Sequence, residues 1–406
     1  MKFRIIITLI AVFTLYTCID PFSPKLKGYD SLLVVDGLIT NENSKYTIKL
    51  SSTIQDQNTS PEMVPDATVS IRDEDNNITF LDNYGNGIYK SDSLKLRAIS
   101  GKKYILHILT SQGAEYESEQ CLMQPVPDID SVYYEKDQEL VNNGTENDNG
   151  LRIFLNSKAG NDNSYYRWAF DETWKFKIPD PKRFNYIDQN TIVPVANVKQ
   201  YCWKIRKSDE IIIHAVYPGQ NAQIKKQPVY FIASDKSDRL MSEYSILVKQ
   251  YSISKDEFEF WNNLKKINES GSDIFATQPF PVISNIHNIN NPKERVLGYF
   301  QVSAVKQKRI FIPFSAIVSL HLPFYHTSQC ERIEKSPAEY STPYGPPVTF
   351  DDLYSMFCIT STYSFIEPMY DPETFKLDKL VFAKPECANC ELTGTSAKPD
   401  FWIDMN

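Results

Sequence analysis

The first part of the chain alternates apolar and polar residues in short runs that are separated by turn residues. Runs such as LLVVDGLIT, YTIKLSST and KKYILHILT place their side chains alternately on two faces, as half-buried β-strands do. Residues 83–87 (NYGNG) form a strong turn signal between two such runs. This regular spacing of short runs over residues 31–120 predicts an immunoglobulin-like β-sandwich.

The alternation resumes after a short proline-containing segment. Residues 121–128 (CLMQPVPD) contain two prolines, which disfavour helix and indicate an extended linker. From residue 129 to residue 406 the runs again resemble strands, and residues 135–150 are interpreted as a polar acidic loop. The aromatic residues that share one strand face in this part are interpreted as core, namely Tyr166, Trp168 and Phe170.

One segment has the period of a helix instead. Ser254 and Glu257 have the spacing of a capping box, and apolar residues then recur every three positions from Phe258 to Ile267. This predicts a helix over about residues 255–268. We therefore expect a mainly β protein, with an N-terminal sandwich and a second β-rich domain over 129–406 that carries one or two short helices.

The N-terminus has the pattern of an export signal. Lys2 and Arg4 precede an almost wholly apolar stretch that ends just before Cys18. The pattern predicts a lipoprotein-type signal peptide over residues 1–17, lipidation of Cys18 and a polar tether over residues 18–30. An ordinary secretory peptide stays an alternative, and a single membrane anchor is disfavoured because Asp20 and Pro21 end the apolar run.

Charge and aromatic content narrow the classes of partner. The net charge of −8 disfavours nucleic acid as a partner, since such binders usually carry a basic patch. Aromatic residues make up 13% of the chain. They suit half-buried strand faces, and a surface that stacks on sugars or packs on another protein is the alternative.

The cysteines predict disulfides. With Cys18 lipidated, an even number remains for pairing, and the connectivity is open: Cys121, Cys202, Cys330, Cys358, Cys387 and Cys390. Cys387 and Cys390 have the CxxC spacing of zinc and redox sites. A second such pair and a thioredoxin-like context are missing from the sequence, so a structural disulfide that pins the C-terminal tail is the favoured interpretation.

No catalytic pattern is present in the sequence. Histidine pairs at zinc-protease spacing, GxSxG, Walker-type and GxGxxG motifs are all missing. We therefore predict no catalytic residues, no metal ligands and no cofactor. Triads and carboxylate pairs can be assembled from distant residues without a local motif, so a surface hydrolase stays an alternative.

Several long segments together resemble one family. They are RLMSEYSILVKQYSISKDEFEFWNNLKK, SDIFATQPFPVISNIHN and NNPKERVLGYFQVS in the middle of the chain, ECANCELTGTSAKPDFW near the C-terminus, and CIDPF with LLVVDGLIT near the N-terminus. This combination is similar to the Bacteroidota outer-membrane lipoproteins of domain of unknown function 4249. Some residues of these motifs are interpreted as structural: Tyr251, Trp261, Pro279, Asn285, Gly298, Tyr299 and Phe300.

The resemblance implies a location more than a mechanism. It implies a lipid anchor at Cys18, an outer-membrane location that favours the cell surface over the periplasmic face, and a TonB-dependent β-barrel transporter as partner. The implied role is a non-catalytic accessory subunit that captures a ligand for import. A structural or assembly component of an envelope complex is the alternative, and the ligand is left open.

Overall fold

The structure, a computed structural model, describes residues 31–53, 60–141, 144–160, 164–217, 223–270, 282–325 and 330–405. The signal peptide, the tether, Cys18 and Pro279 lie outside these ranges. Within them the protein is mainly β, which confirms the predicted fold class.

The strands are numbered in chain order. The first group is β1 Leu33–Ile39, β2 Thr47–Ser52, β3 Thr68–Asp73, β4 Ile78–Phe80, β5 Asp82–Asn83, β6 Ile88–Lys90, β7 Lys103–Leu109, β8 Glu115–Ser118 and β9 Cys121–Leu122. The second is β10 Ile129–Val141, β11 Glu146–Lys158, β12 Ser164–Lys177, β13 Phe184–Asp188, β14 Thr191–Pro194, β15 Tyr201–Lys207, β16 Ile212–Val216, β17 Gln223–Ala233 and β18 Tyr244–Ile253. The third is β19 Ile286–Asn288, β20 Leu297–Val302, β21 Val305–Ile312, β22 Ile333–Lys335, β23 Ser364–Tyr370 and β24 Leu377–Ala383. The α-helices are α1 Lys255–Ser270, α2 Phe314–Ser319, α3 Phe350–Tyr354 and α4 Pro385–Ala388.

Two sheets pack face to face in the N-terminal part. One has the strand order β20-β1-β2-β6-β5, and the other has the order β19-β8-β7-β3-β4 with β9 beside β7. Alternate residues of β1, β2 and β7 point between the sheets and are buried there. Fully buried residues of this core include Val35, Ile48, Ile71, Leu106 and Phe300. This is the β-sandwich that the alternation predicts.

Two strands of this sandwich come from far along the chain. β20 pairs parallel with β1, and β19 pairs antiparallel with β8. The sequence-based range of 31–120 is therefore incomplete, because residues 286–302 of the predicted second domain close the first sandwich. Parallel pairing needs a long crossover, and the alternation within one strand cannot show which distant strand lies beside it.

A glycine allows the close approach of β20 to β1. Gly298 has φ +84°, and a Cβ atom at this position would overlap the carbonyl oxygen of Val35. Only glycine adopts this conformation readily while the backbone of a neighbouring strand is so near.

The second part of the chain forms another core between two sheets. A three-stranded sheet with the order β10-β11-β17 packs against the sheet β15-β12-β18-β21, with β16 beside β12. Tyr166, Trp168 and Phe170 are buried between them, as the strand pattern predicts. We call this unit the second sandwich.

The interpretation of residues 135–150 as a loop is wrong. β10 and β11 stay paired up to Val141 and Glu146, so the acidic segment is the end of a long hairpin. Arg152 on β11 forms ion pairs with Asp137 and Glu139 on β10, which lowers the charge repulsion along this hairpin. Composition alone indicates a solvated loop here, and it misses these cross-strand pairs.

The C-terminal residues form a smaller unit. β22, β24 and β23 make a three-stranded sheet, and α3 and the hairpin of β13 and β14 pack on it. Its core contains Tyr186, Leu353, Phe365, Leu380 and Phe382. We call this unit the C-terminal module.

Candidate functional site at the junction of the two sandwiches

Helix α1 lies where the two sandwiches meet. The Phe258 ring packs on Tyr165 of β12 at 5.1 Å between centroids, and the Phe260 ring packs on Tyr299 of β20 at 4.9 Å. The helix thus contacts one strand of each sandwich.

The N-cap residue of α1, Ser254, accepts a hydrogen bond from the Glu257 N–H at 3.0 Å, which is one half of the predicted capping box.

The Glu257 side chain is buried at this junction instead of completing the cap. It is 2% exposed and accepts hydrogen bonds from Trp261 Nε1 at 3.3 Å and Ser303 Oγ at 3.4 Å. Burial raises the pKa of Glu257 to about 7, although the nearby Arg167 guanidinium opposes this. The sequence pattern identifies this residue as a cap and gives no sign of its burial.

Arg167 of β12 is held between two aromatic rings on the other side of Trp261. Its guanidinium carbon lies 4.5 Å from the Tyr251 ring centroid and 4.8 Å from the Trp261 centroid. Its Nη2 donates to Gln301 Oε1 at 3.1 Å, and its buried Nε has no partner among the described residues. A cation is therefore fixed near Glu257 without a direct ion pair between them in the described part of the chain.

Asn285 fixes the neighbouring strand β20. Its side-chain amide exchanges two hydrogen bonds with the backbone of Phe300, both at 2.9 Å, and its Nδ2 lies 3.2 Å from Cys121 Sγ. Burial raises the pKa of Cys121 to about 12, so its thiol stays protonated and is a poor nucleophile.

A groove of about 280 Å³ opens beside α1. Phe260 and Tyr299 supply its aromatic surface, and Glu119, Asp256 and Glu259 place carboxylates around it. Amide and hydroxyl groups come from Asn263, Ser284 and Asn285. Such a lining offers hydrogen-bond donors and acceptors to a polar ligand beside two largely buried rings, and clefts between domains are common places for ligand sites.

A second buried charge lies inside the second sandwich. Glu172 is fully buried and accepts hydrogen bonds from Arg239 Nε at 3.0 and 3.1 Å, Arg206 Nη1 at 3.1 Å and Tyr244 OH at 2.8 Å. Because these donors satisfy both carboxylate oxygens, we interpret this cluster as structural.

The described cysteines are only partly paired. Disulfides join Cys202 to Cys390 and Cys330 to Cys387, and both pin the C-terminal tail. Both sulfurs of the CxxC segment are therefore bonded to distant partners in this structure.

The prediction that Cys121 and Cys358 also form disulfides is wrong. Neither has a disulfide partner among the described residues. The reason is location, because Cys121 packs against the core of the N-terminal sandwich and Cys358 against that of the C-terminal module. Cys18, the predicted lipidation site, lies outside the described residues.

The junction brings together residues that are separated in the sequence. The family-like motifs supply Tyr251, Trp261, Asn285, Tyr299 and Phe300, and all of them lie at or beside this junction. The sequence pattern does not indicate the ring contacts of Arg167 or the burial of Glu257. One signal was available for Arg167, because it is the single charge within the aromatic run YYRWAF.

No metal-binding cluster and no helix able to cross a membrane occur in the part of the chain that the structure describes.

Comparison with protein families places most of the chain in a known family. The model of the family described as domain of unknown function (DUF4249) matches residues 19–309. The match covers the N-terminal sandwich, the junction and most of the second sandwich, and it ends within β21. The C-terminal motif that contributes to the resemblance therefore lies beyond it. None of the curated proteins matches the chain in sequence.

Proposed function

The chain belongs to the family described as domain of unknown function (DUF4249), and we propose that it is an exported, lipid-anchored, non-catalytic protein of the outer membrane. In this role it captures a ligand for a TonB-dependent β-barrel transporter. The observation that carries the proposal is the N-terminal signal that ends at Cys18, since a lipidated cysteine anchors a folded protein to a membrane.

Two features of the fold support this proposal. The disulfides Cys202–Cys390 and Cys330–Cys387 suit an oxidising compartment outside the cytosol. The groove beside α1 combines an aromatic surface with polar groups, which suits reversible binding of a polar ligand.

The lipid anchor is tested first, because the location depends on it. Cells that express the protein are fed an alkyne fatty acid, and the purified protein is examined for the label. We expect the wild type to be labelled and Cys18→Ser to be unlabelled and released from the membrane fraction. Equal labelling of both proteins would overturn the assignment of Cys18.

The partner is tested by affinity purification of the tagged protein from its native outer membrane in mild detergent, followed by mass spectrometry. We expect a TonB-dependent barrel at near-equal abundance. The Cys18→Ser protein, purified in parallel, shows which partners depend on the anchor. Recovery of assembly machinery would favour the structural alternative, and recovery of no barrel would contradict the transporter role.

A further inference from the structure

We propose that Glu257 makes the junction of the two sandwiches a pH-sensitive contact. While Glu257 is protonated, α1 is held firmly against both sandwiches. When Glu257 ionises, the contact loosens and α1 opens more often to solvent.

The surroundings of Glu257 suit a neutral carboxylic acid better than a carboxylate. The side chain is 2% exposed, and its two hydrogen bonds are long, at 3.3 Å from Trp261 Nε1 and 3.4 Å from Ser303 Oγ. No ion pair to Glu257 is found in the described residues, in contrast to Glu172 with its two arginines. An ionised carboxylate in such a place is destabilising, and water entry relieves the cost.

Glu257 is surrounded by groups from several strands, and its own charge changes near neutral pH. Arg167 from β12, Tyr299 from β20 and Cys121 from β9 lie close enough to interact electrostatically with Glu257. Tyr251 from β18 packs on Arg167, and Asp256 precedes Glu257 in α1. Burial raises the pKa of Tyr251, Tyr299 and Cys121, so these three stay neutral. Burial raises the pKa of Glu257 to about 7, and Arg167 keeps it from rising further.

The position of Glu257 couples its charge to the contact between the sandwiches. Ser303, which donates to Glu257, lies between β20 of the first sandwich and β21 of the second, and its N–H donates to Ile39 O at 3.1 Å. Trp261, the other donor, covers Arg167 of β12. Loss of these contacts therefore weakens the packing of α1 on both sandwiches, which the ring contacts of Phe258 and Phe260 then maintain alone.

The sign of the pH dependence follows from the raised pKa. The protonated form is the one that the folded junction favours, so the contact is strongest at low pH and weakens as the pH rises through the folded pKa.

Hydrogen exchange of the α1 amides tests this, measured from about pH 5.5 to about pH 8.5 and corrected for intrinsic exchange. We expect the corrected exchange of wild-type α1 to rise about tenfold or more, with a midpoint near the pKa of Glu257. Glu257→Gln, which mimics the neutral acid, is expected to show no rise. Glu269→Gln, an exposed position on the same helix and outside the groove, is the matched control and is expected to behave as the wild type.

The proposal is overturned if the wild type shows no such rise, or if Glu257→Gln keeps it. A second variant keeps the proposal testable if Glu257→Gln does not fold. Ser303→Ala removes a donor that favours the ionised form, so the midpoint is expected to move to higher pH. An unchanged midpoint in a folded Ser303→Ala protein contradicts the proposal.

Discussion

Cys387 and Cys390 are separated by only two residues in the chain, yet their disulfides run to different units of the protein. Cys387 bonds Cys330, just before β22 of the C-terminal module, and Cys390 bonds Cys202 on β15 of the second sandwich. The short segment that contains α4 therefore fastens the C-terminal module to the second sandwich.

Removal of either disulfide is expected to destabilise the protein. We predict a loss of about 2–5 kcal/mol for the paired serine variants of Cys202 and Cys390, and a somewhat smaller loss for those of Cys330 and Cys387. The order follows from the sequence separations of 188 and 57 residues, since a longer closed loop restricts the unfolded chain more. Denaturant unfolding of the oxidised proteins measures both values. An unchanged midpoint in either pair of variants would contradict the structural role of that disulfide.

Glu172→Gln is expected to cost about 3–5 kcal/mol, because it leaves two arginines without their buried counter-charge. Glu210→Gln is the matched control, since Glu210 also pairs with Arg206 but is partly exposed. For this variant we expect a loss of at most about 1 kcal/mol. Similar losses of unfolding free energy for the two variants would show that the buried cluster contributes no more to stability than an exposed ion pair.

Gly298→Ala is expected to destabilise the N-terminal sandwich by well over about 1 kcal/mol. The new Cβ would overlap the Val35 carbonyl oxygen and would also require a positive φ. Gly85→Ala separates the two effects, because Gly85 has φ +78° with no atom within 4 Å of the added Cβ. Thermal unfolding of both variants measures the difference. If both lose the same stability, the close approach of β20 to β1 contributes nothing.

A fragment of residues 31–126 is expected not to fold alone. It lacks β19 and β20, and so it leaves one edge of β1 and one edge of β8 without a partner strand and loses Phe300 from the core. Circular dichroism and dye binding are expected to show an unfolded or aggregating chain. The same fragment joined through a flexible linker to residues 282–304 is expected to fold. A stable, cooperatively unfolding 31–126 fragment would refute this.

The sequence predicts local structure here better than it predicts distant contacts. Alternation locates the strands, and the spacing of Ser254 and Glu257 locates the start of α1, because both signals lie within a few residues. The pairing of β1 with β20, the partners of Cys387 and Cys390 and the meeting of Arg167 with Trp261 depend on tertiary packing. Glu257 is the clearest example. Its spacing from Ser254 correctly predicts where α1 begins, but its side chain is buried in the junction by tertiary packing, which no local pattern predicts.

The parallel pairing of β1 with β20 also sets the order in which the protein can mature. Synthesis begins at the N-terminus, so β1 is made long before β20. One edge of β1 therefore stays unpaired until residue 302 has been added. By then most strands of the second sandwich already exist. The two sandwiches therefore reach completion together, and the newly made chain needs protection from edge-to-edge aggregation during that interval.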